Sequence, residues 1–176
     1  FAAWSESAAE KWHGIWGGSG RRNRIAYWAS PKKQKRYYSG KKKRHTLKTQ
    51  LLVSLQTGEI IALAFSNGKK HDFQLFKDSR IHVKAETVLE ADSGYLGLAQ
   101  IHANSLLPKK RSKNHPLTKQ ERKDNREISR KRIFVEHAIR FLKRFRILSE
   151  RYRNRRKRFA LRFSLIAGIC NFDRLA

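Results

Sequence analysis

The chain has 176 residues, with 41 Lys+Arg against 14 Asp+Glu and a formal net charge of +27. That length suits one domain with its own core, and 39% hydrophobic residues exclude a wholly disordered chain. The charge points to a polyanionic partner, nucleic acid by default. A membrane surface is the weaker alternative, because no apolar run reaches the length of a spanning helix.

The first 30 residues lack the apolar run of a secretory signal. All four Trp and four of the ten Gly fall there, and neither a helical nor a strand period holds for long. Residues 1–30 are therefore expected to be irregular. The chain opens at Phe1 and contains no Met, so the sequence reads as a fragment.

From Lys32 to Lys48 there are nine Lys/Arg and no acid, with Tyr37 and Tyr38 interleaved. TLKTQLLVSL, Thr46 to Leu55, and IIALAF, Ile60 to Phe65, flank the turn Thr57 to Glu59 and predict an antiparallel hairpin. Asp72 follows a loop and is placed to N-cap a short helix over FQLFKDS, a direct catalytic role being the alternative. TVLEA, Thr87 to Ala91, predicts a central strand. After Asp92-Ser93-Gly94, LGLAQIHA predicts a helix and Ser105 to Pro108 a short strand.

A polar basic loop leads to Thr118, an expected N-cap. One long helix is predicted from about 118 to 148, with Phe134, Ala138, Phe141, Phe145 and Leu148 on its apolar face. RYRNRRKR, Arg151 to Arg158, reads as a basic connector, and Phe159 to Phe172 as a last helix. The single cysteine, Cys170, excludes a disulfide framework and a Cys-based zinc site. Set in an apolar run, it reads as a small buried residue.

On that long helix Arg132, Glu136 and Lys143 share one stripe at 100° per residue. Alone, this is an ordinary i,i+4 ion pair. Asp92 alone is ordinary turn chemistry before Ser-Gly, yet the end of a central strand is also where α/β sheets place ligands. Phosphodiester chemistry near neutral pH is commonly done with two divalent ions. Mg²⁺ takes hard oxygen ligands, so a strand-end Asp and a helix-borne Glu converging on one point would meet that need.

YYSGKKKRHTLKTQ, GKKHD, EADSGYLG and RIFVEHAIRFLKRFRIL occur in this order. From about Pro31 onward the chain resembles DDE transposases of bacterial insertion sequences, of the family-five type. The resemblance implies an α/β fold, an RNase H-like mixed sheet flanked by helices, with residues 31–176 forming part of the catalytic domain. It implies that Asp92 and Glu136 are catalytic and hold Mg²⁺ or Mn²⁺. Arg132 and Lys143 support them, matching an R-x3-E-x6-K spacing in which Ser129 stands where related elements have Tyr. It further implies double-stranded DNA as partner, at element ends and at target, and a homo-oligomer when active. The expected location is the bacterial cytoplasm, at the nucleoid. Candidate phosphate contacts are Lys41, Lys42, Lys43, Lys109, Lys110, Arg111 and Arg144.

The family's first Asp should precede YYSG by one strand and a loop, but the only acids before Gln50 are Glu6 and Glu10. The first strand is thus expected to be missing or scrambled. One permitted coding of Arg21 to Ser30, moved by one nucleotide, reads Asp-Ala-Thr-Glu-Ser-Pro-Ile-Gly-Arg, close to the family's first motif. An out-of-frame N-terminal segment follows as a hypothesis, with little or no strand transfer and surviving DNA binding. The rival readings are a non-catalytic basic module of the ribosomal RNA-binding kind and a nuclease of the same fold. His71 and His137 read as supporting or surface groups.

Overall fold

The structure, a computed structural model, describes residues 12–16, 24–26, 34–39, 43–112 and 116–175. Its strands are β1 (Trp12–Trp16), β2 (Arg24–Ala26), β3 (Tyr38–Ser39), β4 (Arg44–Ser54), β5 (Ile60–Asn67), β6 (Val88–Ala91) and β7 (Ser105–Leu106). Its helices are α1 (Gln34–Tyr37), α2 (Asp72–Ser79), α3 (Lys119–Leu142), α4 (Arg146–Ser149) and α5 (Phe159–Leu175).

The predicted hairpin is β4–β5, antiparallel, with Val53 opposite Ile60 and a bulge beside Leu52. Gly58 closes its turn at φ 73, in the left-handed region that glycine enters at little cost. On the other side of β4 lie β1 and β2, both antiparallel to it. β6 runs parallel to β1, and β7 parallel to β6. The sheet is thus the expected RNase H-like mixed sheet, with parallel strands at its centre and a hairpin at one side.

One expectation changes here. Within residues 1–30, expected to be irregular, WHGIW forms β1 and RIA forms β2. β1 lies between β4 and β6 and carries no acid. The physical reason lies in the neighbours. β4 and β6 leave a row of backbone donors and acceptors on either side of β1, and a short extended segment satisfies both ladders whatever its side chains.

Alternation along β4 divides the core between two faces. Leu47, Leu51 and Val53 meet Val135, Ala138, Ile139 and Leu142 of α3, and Phe159, Phe163 and Ile166 of α5. Leu52 turns the other way, joining Phe76 of α2 with Leu89, Ala91, Tyr95 and Leu98. Three layers result, helix on sheet on helix. Asn171 of α5 pins the start of β5, its amide exchanging two 2.9 Å hydrogen bonds with the backbone of Ile60. Cys170 is buried there, and burial pushes its thiol pKa up.

Thr118 caps α3 as expected, in a capping box. Its hydroxyl accepts from the Glu121 amide, and the Glu121 carboxylate accepts from the Thr118 amide. The helix is shorter than predicted, because the chain turns at Lys143–Phe145 and resumes as α4. The turn brings Leu142 and Leu148 into one core, which a straight helix would not. The buried face is Val135, Ala138, Ile139 and Leu142, while Phe134 is half exposed. Instead of a helix after Asp92 there are two 3-10 turns, Ser93–Tyr95 and Leu98–Gln100, interrupted by Gly97 at φ 96. Among the described residues, no helix is long and apolar enough to cross a membrane.

Candidate active site

Asp92 leaves β6 at its C-terminal end in extended conformation, φ −73 and ψ 161, and is 8% exposed. It does not cap the turn that follows with its side chain. Its neighbour in the parallel ladder follows from the register. Ile15 of β1 pairs with Ala91, so Trp16 is the β1 residue that comes level with Asp92. No acid occurs in β1. Glu6 and Glu10 lie outside the described residues.

α3 reaches Asp92's end of the sheet by a diagonal path. Near its start, Asn125 exchanges two 2.9 Å hydrogen bonds with the backbone of Lys109, just beyond β7. Further on, Lys131 makes a 2.7 Å ion pair with Glu90 of β6. Ile139 then lies over Thr49 and Leu51 of β4, around a cavity of about 20 Å³. Such a volume admits no more than a water molecule. Along α3, Glu136 falls between the contact of Lys131 with β6 and that of Ile139 with β4, and the helix as a whole also touches β1.

Glu136 is half buried and paired with Arg132, Nε to Oε1 3.4 Å, as its i,i+4 spacing predicts. Lys143 lies at the C-cap of α3 and lines the small cavity with Leu142 and Leu148. Arg132 therefore touches Glu136, whereas Lys143 takes a place at the helix end. Glu90 is fully buried, and its Oε2 has no hydrogen-bond partner among the described residues. In TVLEAD it reads simply as part of an apolar strand. Its position two residues before Asp92 is the signal that could have singled it out.

A second carboxylate lies close to the Asp92 loop. Asp72 is the first residue of α2, with His71 in the cap position and no side-chain cap hydrogen bond. The expected N-cap role is therefore not the one Asp72 plays. Its Oδ1 lies 2.9 Å from Lys48 Nζ, and Lys48, 2% exposed, also donates to the Lys70 carbonyl. A Cβ added at Gly94 would sit 3.3 Å from Asp72 Oδ2, so the Ser-Gly turn passes close over this carboxylate. Asp72 and Asp92 both act on Tyr95. Its phenol is held well above its ordinary pKa, by burial first and then by the two negative charges. The hydroxyl donates to Gln50 Oε1 at 3.3 Å.

For a divalent cation these residues match in kind but fall short in number. Asp92 and Glu136 are hard oxygen donors suited to Mg²⁺ or Mn²⁺. Among the described residues no three His, Cys, Asp or Glu side chains gather closely enough to form a metal cluster.

The basic candidates separate into distinct situations. Lys41 and Lys42 lie outside the described residues, while Lys43 is exposed at φ 48 just before β4. Lys109 pairs with Glu121 at 3.0 Å. Lys110 and Arg111 are exposed beyond β7. Arg144 stacks 3.6 Å from the centre of the Phe141 ring and pairs with Asp173 at 3.2 Å. His137 is exposed on α3 and His71 is exposed at the cap of α2.

The family model described as "Transposase DDE domain" matches residues 18–171. A similar curated relative is "Probable transposase for insertion sequence element IS702" of Microchaete diplosiphon, 49% identical over 144 residues. That match covers 81% of this chain and 52% of the relative, so the chain spans about half the length of the curated relative it matches. No solved structure matches the chain. With the family model spanning most of its length, the chain belongs to the family of transposase DDE domains.

Proposed function

We propose that this chain is the catalytic portion of an insertion-sequence DNA transposase, impaired in strand transfer but still able to bind double-stranded DNA. The observation that supports this reading is Asp92 at the C-terminal end of β6, with Glu136 on α3 between that helix's contacts with β6 and β4. A strand-end Asp and a helix-borne Glu from distant parts of the chain supply two of the hard oxygen donors that phosphodiester chemistry at a metal pair uses.

In this reading Asp92 and Glu136 hold Mg²⁺ or Mn²⁺. The chemistry that bound divalent ions supply is activation of a water or 3′-hydroxyl and steadying of the leaving oxygen. Arg132 holds the Glu136 carboxylate in orientation through its 3.4 Å contact. Glu90 and Lys131 fasten α3 to β6, which sets Glu136 along the sheet. The impairment rests on β1. The residue level with Asp92 is Trp16, where a third carboxylate would complete the set. Residues 1–30 fit an out-of-frame translation, and residues 31–176 the DDE domain proper. An active relative would work as a homo-oligomer on paired element ends, in the bacterial cytoplasm at the nucleoid.

A labelled oligonucleotide with a free 3′-hydroxyl end, a supercoiled target and Mn²⁺ or Mg²⁺ test the reading. The expected outcome is duplex binding without joined product. Efficient joining would overturn the impairment. Preference for structured RNA over duplex, together with no divalent-ion binding, would favour the basic-module alternative.

A further inference from the structure

Two basic runs separated by more than a hundred residues meet in the fold. The connector Arg151 to Arg158 holds six Lys/Arg in eight positions, and the run from Lys32 to Lys48 holds nine cations; neither contains an acid. The Arg156 guanidinium lies over the Tyr37 ring, 5.0 Å from its centre. A cation on an aromatic face is a specific attachment rather than a chance approach.

The connector is held at both ends. Tyr152, 1% exposed, packs edge-on against Phe159 with ring centres 5.0 Å apart, and both belong to the core between sheet and helices. The Tyr152 hydroxyl donates to the Arg155 carbonyl and accepts from Arg162 Nη1 at 2.9 Å. Between these anchors Arg153, Arg155 and Lys157 are exposed, with no acidic partner among the described residues. A solvated tail would pay the ordering entropy of such side chains at binding. Here the backbone is already fixed.

Place in the sheet decides what this surface faces. Ile15 pairs with both Leu52 and Ala91, so Asp92 leaves its strand at about the level of Leu51. From Leu51 back to Arg44, β4 overhangs that level by about 24 Å at the usual rise of a strand. The exposed Lys43 and Arg44 at its tip, the exposed Lys35 of α1, and the connector beside Tyr37 all lie beyond the same end of the sheet as Asp92. Like charges gathered this way oppose folding unless a polyanion neutralises them. A duplex, with one phosphate charge per about 1.7 Å of axis, is such a polyanion.

We infer that Arg153, Arg155 and Lys157 of the connector, with Lys35, Lys43 and Arg44, form one surface for the sugar–phosphate backbone of duplex DNA, adjoining the Asp92 end of the sheet. This inference rests on the transposase reading and deepens it by placing the DNA.

The test is fluorescence anisotropy of the full chain with a labelled duplex of about 20 base pairs over a series of salt concentrations. One variant is Arg153→Gln/Arg155→Gln/Lys157→Gln. The control removes the same charge from an exposed stripe of α3: Lys119→Gln/Lys123→Gln/Arg130→Gln. The connector variant is expected to lower the slope of log affinity against log salt by about 2–3, at roughly 0.9 per lost phosphate contact. Affinity near 0.15 M salt should fall at least about tenfold, while the control changes the slope by less than about 1. Equal melting temperatures of all three proteins establish that each is folded. Equal losses in both variants, or none in the connector variant, overturn the surface while duplex binding by the unaltered chain upholds the parent reading. Failure of the unaltered chain to bind duplex overturns both. Tighter binding to a structured RNA hairpin, lost in the connector variant, assigns the surface to RNA and overturns the inference.

Discussion

Lys48 Nζ lies 2.9 Å from Asp72 Oδ1, with Lys48 2% exposed on β4 and Asp72 buried at the start of α2. The pair joins β4 to the start of α2, beneath the Gly94 turn that follows Asp92. Removing one partner of such a pair leaves an uncompensated buried charge. Lys48→Met is expected to cost about 3–5 kcal/mol in urea unfolding, and Asp72→Leu a similar amount. The double variant should lose clearly less than the sum, because two apolar side chains can fill the site without an orphaned charge. Strictly additive losses would mean that the pair does not act as a unit.

Tyr95 makes a prediction at alkaline pH. Burial and the charges of Asp72 and Asp92 raise its folded-state pKa above the ordinary value. Below the unfolded-state pKa of about 10, the phenol is protonated in both states and stability is unaffected by pH through this group. Above it the unfolded chain releases the proton while the folded chain retains it, so stability falls as pH rises toward the folded-state pKa. Tyr95→Phe should lose about 0.5–1.5 kcal/mol at neutral pH with the Gln50 hydrogen bond. It should also flatten the fall in stability above about pH 10. Urea melts of both proteins from neutral pH upward give the comparison; parallel curves would show that Tyr95 contributes nothing to the alkaline slope.

A third prediction concerns the carboxylate set. Trp16 comes level with Asp92 in the parallel ladder. Trp16→Asp should raise Mn²⁺ affinity at least about tenfold, in line with an added hard-oxygen ligand. Electron paramagnetic resonance of free Mn²⁺ during titration reads this directly. Asp92→Asn or Glu136→Gln introduced into the same variant should remove the gain. A gain that persists in Asp92→Asn would show the new acid binding metal elsewhere.

The capping box of α3 provides a local check. Thr118→Ala removes the hydroxyl that accepts from the Glu121 amide at 3.2 Å. The expected loss is about 1 kcal/mol, read from thermal or urea unfolding followed by helical circular dichroism. A change within error would mean that Asn125 and its bonds to Lys109 hold the helix start alone.

Much of the architecture was legible because its signals are local. Two strand-like runs on either side of a short turn marked β4 and β5, Gly58 marked their turn, Thr118 marked the start of α3, and a short apolar run ending in Asp92 marked β6. The DDE resemblance rested on motif order, which needs no three-dimensional information. β1 was not legible, since WHGIW carries no strand period and becomes a strand by completing the ladders of β4 and β6. The end of α3 was misplaced because periodicity through Phe145 and Leu148 continues across the turn that lets Leu148 back into the core.

The sequence by itself determined the chemistry on offer: a strongly cationic chain with few acids, one of them at a strand end and another on a helix. Tertiary structure alone decided which of those groups become neighbours. Lys48 meets Asp72, Lys131 meets Glu90, and Arg156 meets Tyr37. Each pair joins residues more than twenty positions apart. The physical reason is that local rules govern backbone conformation within a few residues, whereas burial of a shared core selects the distant partners.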